Sequence, residues 1–290
     1  MILVNGEPQD SISANDRGLA YGDGVFRTLA VRDGKAQCWQ RHFAKLCDDC
    51  RRLDIPSPAE PSLRAEVAQV ARDLALGVVK IIVTRGQGER GYAKPSQQHP
   101  TRIVMGTTMP PYPAGNFNEG IKVRLCELRL ADQPRLAGIK HLNRLENVLA
   151  RAEWNDSAIS EGLLLDQRDN FIEGVTSNLF IVMRGVLVTP DLGRCGVAGV
   201  TRERILTWAR DSAMPSEIRD IPLAELLTAE EVMICNSLIG VWQVREIATQ
   251  QPDGSCVPVV RPLGVATSGK CWARGTLTPT IRQYLTECHV

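Results

Sequence analysis

Hydrophobic positions along the chain fall into short runs broken by glycine, proline and charged pairs, a pattern that predicts a mixed α/β protein. In the first part, Ile2–Val4 reads as a short strand that ends at the turn signal Asn5-Gly6. Val25–Val31 and Ala36–Trp39 flank Arg32-Asp33-Gly34-Lys35 and predict a hairpin. Phe43, Leu46, Cys50 and Leu53 recur at helical spacing within Arg41–Leu53, and Leu63–Leu76 reads as a second helix ended by Gly77. Strands are expected at Val78–Thr84 and Arg102–Thr107, with a polar loop between them.

The proline-rich stretch beginning Met109-Pro-Pro-Tyr-Pro predicts a linker at 109–118 between a small domain, 1–108, and a larger one, 119–290. The larger domain would carry strands at Lys122–Leu128, Leu163–Asp166 and Glu231–Asn236, and a hairpin Leu179–Val182/Val186–Thr189. Helices are expected at His141–Trp154 and Arg202–Ser212. Residues 250–275 carry no readable pattern. Two α/β domains with a cleft between them are a common setting for a ligand.

Composition narrows the function. The 34 Lys+Arg residues balance 33 Asp+Glu, leaving a formal charge of +1, so no nucleic-acid or polyanion footprint is present. The nine cysteines are scattered and read as reduced thiols. The lone CxxC, Cys47 to Cys50, falls inside a predicted helix without a second ligand pair at zinc spacing, so no metal is expected. No apolar run approaches the ~20 residues of a membrane span. A cytoplasmic location is expected, without a signal segment.

Four features of the second half carry chemistry. Lys140 sits in apolar company, with Leu136, Ile139 and Leu142 as neighbours. Lost hydration favours the neutral amine that a Schiff base needs. Taken alone, it reads as a snorkelling surface lysine. Glu173 lies at a turn before a buried strand, where a carboxylate can pair with a pyridinium nitrogen or simply face water. The glycines of Gly193–Gly199 precede a helix whose start favours an anion. Thr201 there is either the helix cap or a phosphate contact. Asn236-Ser237 ends a strand with small polar side chains, as a second phosphate-side turn would.

Together these stretches resemble the class IV aminotransferases, pyridoxal-phosphate enzymes of fold type IV. The resemblance lies in Ile172–Phe180 (apolar-Glu-x-small-x-x-Asn-apolar-aromatic), Leu187–Thr189 and Val197–Arg202, with a lysine upstream. It implies a two-domain α/β (α+β) fold with pyridoxal 5'-phosphate in the interdomain cleft, and a homodimer. It implies Lys140 as the Schiff-base and proton-shuttling residue and Glu173 on the pyridine nitrogen. Val200, Thr201, Asn236 and Ser237 would lie at the phosphate. Lys45, in His42-Phe-Ala-Lys45, stands where the family usually has an arginine, with Arg41 beside it.

Within the family, Asp16-Arg17, Tyr21-Gly-Asp-Gly24, Arg85-Gly86 and Leu136–Glu146 look like the lyase branch, which acts on 4-amino-4-deoxychorismate. D-amino-acid and branched-chain transaminases are the alternative. The lyase resemblance implies a proton-relay role for Thr28 and substrate contacts for Arg27, Arg90, Tyr92, Asn143 and Arg144. Tyr92 replaces a histidine that D-amino-acid transaminases use. Thr28 alone also reads as a packed strand residue, and Arg90 as an exposed loop charge.

Overall fold

The computed structural model describes residues 1–248 and 270–287. The chain forms two compact units, one made of residues 1–111 with 139–144, the other of 112–138 with 145 onward. The break therefore falls inside the proline-rich stretch. The segment carrying Lys140 belongs to the first unit, not to the second as the sequence reading had it. Of the unreadable stretch 250–275, all but 270–275 lies outside the described residues.

The first unit contains strands β1 (Ile2–Val4), β2 (Glu7–Pro8), β3 (Gly24–Arg32), β4 (Lys35–Ala36), β5 (Leu76–Thr84) and β6 (Thr101–Thr108). They form one antiparallel sheet in the order β2-β1-β6-β5-β3-β4. Helix α1 (Arg17–Tyr21) is short, and helices α2 (Trp39–Arg52) and α3 (Glu60–Ala71) supply the core partners of the sheet. Alternation along the strands decides what is inside. Val25, Leu29 and Val31 of β3, with Val79, Ile81 and Val83 of β5, meet Leu46, Cys50, Leu63 and Val67 of the helices.

Two predicted boundaries move. The hairpin closes through Asp33 and Gly34, both at positive φ, so its second strand ends at Ala36 and Trp39 already opens α2. Helix α3 stops at Ala71 because the carbonyls of Leu74 and Ala75 accept the Gly34 and Asp33 N–H groups, and Leu76 and Gly77 enter β5.

The helix expected over His141–Trp154 is shorter, α5 at Leu145–Arg151. Its first residues are extended instead, because β3 takes their hydrogen bonds. Phe26 N–H donates to the Lys140 carbonyl at 2.9 Å and Leu142 N–H to the Gly24 carbonyl at 3.0 Å. Residues 140–142 thus act as an added edge segment of the first sheet, with His141 opposite Val25.

The same segment is gripped from its other side. The Lys140 N–H donates to Asp49 Oδ2 at 3.2 Å, and Arg144 donates to the carbonyls of His141 (2.9 Å) and Ile139 (3.1 Å). Asp49 is fully buried on α2 and also accepts from Arg27 and Lys45. Arg27 pairs across the sheet with Ile81, so it points into the core, where burial lowers its guanidinium to about 10.

The second unit holds α4 (Ala114–Asn118), β7 (Ile121–Leu130), α5, β8 (Ile159–Asp166), β9 (Phe171–Gly174), β10 (Asn178–Met183), β11 (Val186–Thr189) and α6 (Val200–Asp211). Then follow β12 (Ser216–Ile218), α7 (Leu223–Thr228), β13 (Glu231–Asn236), β14 (Gly240–Ala248) and α8 (Leu277–Glu287). The strands run in the order β12-β11-β10-β13-β14-β7-β8-β9, and β9 also pairs with β10, which closes a barrel. Barrel residues Val123, Leu163, Leu179, Val232 and Val244 fill its core. The closing pair is Glu173 with Asn178.

Two outcomes follow from the first unit. Asp49→Ala should lower stability by about 3–5 kcal/mol in urea unfolding, because it strands buried cations, whereas Asp49→Asn should cost less. Burial, then the charge of Arg144, lowers His141 to about 4. An unfolded histidine protonates near ~6.5, so the unfolded chain binds more protons between the two values. The stability that this residue carries should fall as pH drops through that window. An NMR midpoint near ~6.5 for its imidazole would refute the burial.

Candidate active site

In the first unit the chemistry gathers on the face of β3 that turns away from the core. Phe26 and Thr28 alternate with buried Val25, Arg27 and Leu29, so they share the opposite face. Lys140, hydrogen-bonded opposite Phe26, projects on the same side, and its Nζ lies 4.6 Å from the Phe26 ring centroid. The lysine backbone is fixed at N–H and carbonyl while its amine stands over an apolar ring. That is the arrangement a nucleophilic amine needs: a fixed origin and partial loss of water.

Arg27 is excluded from this face. It is 2% exposed, points the other way along β3 and is held by Asp49, so its expected substrate contact is corrected to a structural ion pair. Arg144 likewise braces the lysine loop through its carbonyls instead of standing ready for a ligand. Lys45 donates to Asp49 and, at 3.5 Å, to Asp48. Burial, then the Arg27 charge, lowers its ammonium to about 8. A phosphate at Lys45 would compete with these two carboxylates.

Asn143 is exposed, with its amide 3.5 Å from the Gly22 carbonyl. Arg90 and Tyr92 occupy an exposed loop. Arg17 fastens that loop by donating to the carbonyls of Gly91, Tyr92 and Ala93, and Tyr21 packs its ring 5.3 Å from that of Tyr92.

In the second unit, Glu173 is 4% exposed and accepts the Val197 N–H at 2.8 Å. Its barrel partner Asn178 donates to the Val197 carbonyl at 2.7 Å and accepts from Gly199 N–H at 3.2 Å. Both residues of the closing pair therefore hold the loop that leads into α6. Gly196 lies at φ +84°, a conformation that disfavours side chains. A Cβ at Gly199 would meet Asn178 Oδ1 at 2.2 Å.

Helix α6 begins at Val200, and its N-cap residue Gly199 gives no side-chain cap. Thr201 is thus not the cap, and the first N–H groups of the helix are left for another acceptor. Thr189 and Arg202, fixed points of the sequence pattern, are structural. Arg202 donates to the Thr189 hydroxyl and the Pro190 carbonyl, and that hydroxyl donates to the Leu179 carbonyl.

Asn236 has both ends of its amide engaged. It donates to the Thr176 carbonyl and accepts from the N–H groups of Leu238 and Ile239. Its side chain shapes the turn that carries Ser237. Sequence reasoning missed Glu161. This fully buried carboxylate, pushed up by burial, accepts from Gly162, Thr176 and Ser177 and so fixes the turn between Glu173 and Asn178. A carboxylate inside a strand of hydrophobic residues was the available signal.

Chemically, this donor set suits pyridoxal phosphate. Glu173 offers a buried acceptor for a protonated ring nitrogen, and the uncapped α6 start offers donors to a phosphate. Gly138 exchanges hydrogen bonds with Gly196 and Ala198 and so also holds the loop that leads into α6.

Known proteins resemble this chain in sequence and fold. A crystal structure of 4-amino-4-deoxychorismate lyase from Pseudomonas aeruginosa superposes with a TM-score of 0.88 and 45% identity, covering 99% of both chains. The aminodeoxychorismate lyase of Vibrio harveyi is 34% identical over 252 residues, 87% of this chain and 93% of the relative. The branched-chain amino acid aminotransferase of Escherichia coli shares the fold at a TM-score of 0.78 and 22% identity, over 100% of this chain and 94% of that one. Residues 24–247 match the family model for amino-transferase class IV. The chain belongs to the class IV aminotransferase family.

Proposed function

We propose that the protein acts as a pyridoxal-phosphate-dependent lyase on 4-amino-4-deoxychorismate, releasing 4-aminobenzoate and pyruvate, a step that serves folate biosynthesis. The observation that carries this reading is the Lys140 amine, set over Phe26 by backbone bonds on both sides of the residue. The lyase names of the 34% and 45% identical relatives favour this activity over transamination.

When bound, pyridoxal phosphate supplies an aldehyde for Lys140 and then for the substrate amine, and a ring that draws electrons from the carbon bearing that amine. Glu173 keeps the ring nitrogen protonated. Backbone N–H groups of Val200 and Thr201, the Thr201 hydroxyl and Ser237 hold the phosphate. Lys45 stays within the Asp49 cluster. With the cofactor bound, the Lys140 amine would take the C4 proton of the substrate. Pyruvate leaves from the adjacent carbon as the ring becomes aromatic, with Thr28 relaying a proton on the same face. Arg90, Tyr92 and Asn143 serve as substrate contacts.

A homodimer is part of this reading. Leu145, Val148 and Leu149 stand exposed on α5 and offer a second copy an apolar surface, which light scattering would reveal as twice the chain mass. The reading also places the enzyme in the cytoplasm. No described helix is long and apolar enough to cross a membrane.

Incubation with chorismate, glutamine and the amidotransferase that forms aminodeoxychorismate should yield equal amounts of 4-aminobenzoate and pyruvate. Amino-group transfer to a keto acid without pyruvate would replace the lyase by a transaminase. Borohydride should fix the cofactor to the peptide bearing Lys140. Lys140→Ala should abolish that attachment and lower kcat by ~10²–10⁴-fold, the usual range for a lost proton-transfer group.

A further inference from the structure

Gly22-Asp23-Gly24, the turn between α1 and β3, is tied to two parts of the first unit at once. Its backbone takes the segment that carries Lys140. The Gly24 carbonyl accepts the Leu142 N–H at 3.0 Å, and the Gly22 carbonyl faces the Asn143 amide at 3.5 Å. Neither glycine leaves room for a side chain. A Cβ at Gly22 would meet Asn143 Oδ1 at 2.3 Å, and one at Gly24 would meet the Val83 carbonyl oxygen at 2.6 Å.

The Asp23 side chain takes the loop between β5 and β6, which carries Arg90 and Tyr92. Its carboxylate accepts Arg17 Nε at 2.9 Å and two nitrogens of Arg85 at 2.7 and 2.9 Å. The two guanidinium groups then run to opposite parts of that loop. Arg17 donates to the carbonyls of Gly91, Tyr92 and Ala93 at its tip. Arg85 donates to Gln98 near its end and to the Leu53 and Asp54 carbonyls that follow α2. Tyr21 adds a further hold on the tip, its hydroxyl accepting the Gly91 N–H at 3.0 Å while Arg17 lies over its ring.

Both arginines are buried and share this one carboxylate, so Asp23 is what lets two like charges converge. Burial alone would raise its carboxyl, but the hydrogen bonds from Arg85 and Arg17 hold it below the usual carboxylate range. The tip that receives this grip buries little in return, since Arg90, Tyr92 and Ala93 are exposed. Ordering an exposed tip costs chain entropy without a gain in packing. A clamped backbone that bears exposed side chains is how a fold presents contacts to a ligand.

We infer that Asp23 is a positioning residue that, through Arg17 and Arg85, sets the Arg90–Tyr92 tip relative to the Lys140 segment and so governs substrate affinity. The inference rests on the lyase reading, in which Arg90 and Tyr92 contact the substrate, and adds what holds them in place. A displacement of about 1 Å at such contacts is enough to weaken them severely.

The test uses the holoenzyme and the variants Asp23→Asn and Arg17→Met. Asp23→Asn should raise KM for aminodeoxychorismate about tenfold, with kcat changed far less, because the carbonyls that hold the Lys140 segment remain. Arg17→Met leaves the pairing of Asp23 with Arg85 intact and should raise KM similarly, which keeps the inference testable should Asp23→Asn fail to fold. Trypsin should cut after Arg90 about tenfold faster in both variants, as the tip is released. Placed on a background of Arg90→Ala with Tyr92→Ala, Asp23→Asn should add little to KM, whereas a residue that only stabilises the fold would add its whole effect. Borohydride fixation of the cofactor on Lys140 should be unchanged throughout. If both variants keep the original KM, or if the effect adds in full on that background, the inference fails while the lyase reading stands. If the unaltered enzyme releases no pyruvate, the lyase reading has failed, and the trypsin rates then decide whether Asp23 holds the tip.

Discussion

A lysine that must exchange its bond with a cofactor for a free amine cannot be positioned through that amine. Its place has to come from its backbone. In this chain the backbone of Lys140 is held by Asp49 at its N–H, by Phe26 at its carbonyl and by Arg144 through the flanking carbonyls. Asp49 fulfils this role because it is buried and anchored, its other contacts being Arg27 and Lys45. Buried charges are a poor source of stability by themselves. Here their geometric effect is to tie α2 and β3 to the lysine segment.

The same economy operates in the second unit, where barrel closure and site construction are one event. Glu173 and Asn178 form the pair that joins β9 to β10, and both then bind the Val197–Gly199 loop. Glu161 holds the turn between them from below. Misplacing the closure would misplace the carboxylate and the start of α6 together. Precision of about half an ångström in such a site comes from supports of this kind rather than from the contacting residues alone.

Much of the fold was legible in the sequence because strands here are short apolar runs between strong turn residues. The β10–β11 hairpin and β13 are close to their expected limits. Local periodicity failed where a distant partner took the backbone. His141 and Leu142 sit in a helical pattern, yet β3 captures them as an edge. Barrel closure was invisible for the same reason, since nothing local to Glu173 announces Asn178 as its partner. Lys140 and Glu173 stood out in the sequence through a pattern of residue types. Asp49 and Glu161 did not, because a carboxylate on a helix or strand reads as solvated until its donors are seen. Arg27 shows the converse error, a charge read as functional that the fold buries.

Strand β3 explains how these charges are sorted. Its side chains alternate with a period of two, so Arg27 falls on the core face and Phe26 and Thr28 on the other. The core face carries a charge whose partners are all supplied by the protein. The outer face carries Lys140 and Lys80 around one phenyl ring. A one-residue slip of β3 against β5 would exchange the two faces and bury the chemistry. The ladder that runs from Gly24–Thr84 to Arg32–Leu76 without a bulge is what forbids that slip. The register of two strands therefore fixes which cations face the core and which face away from it.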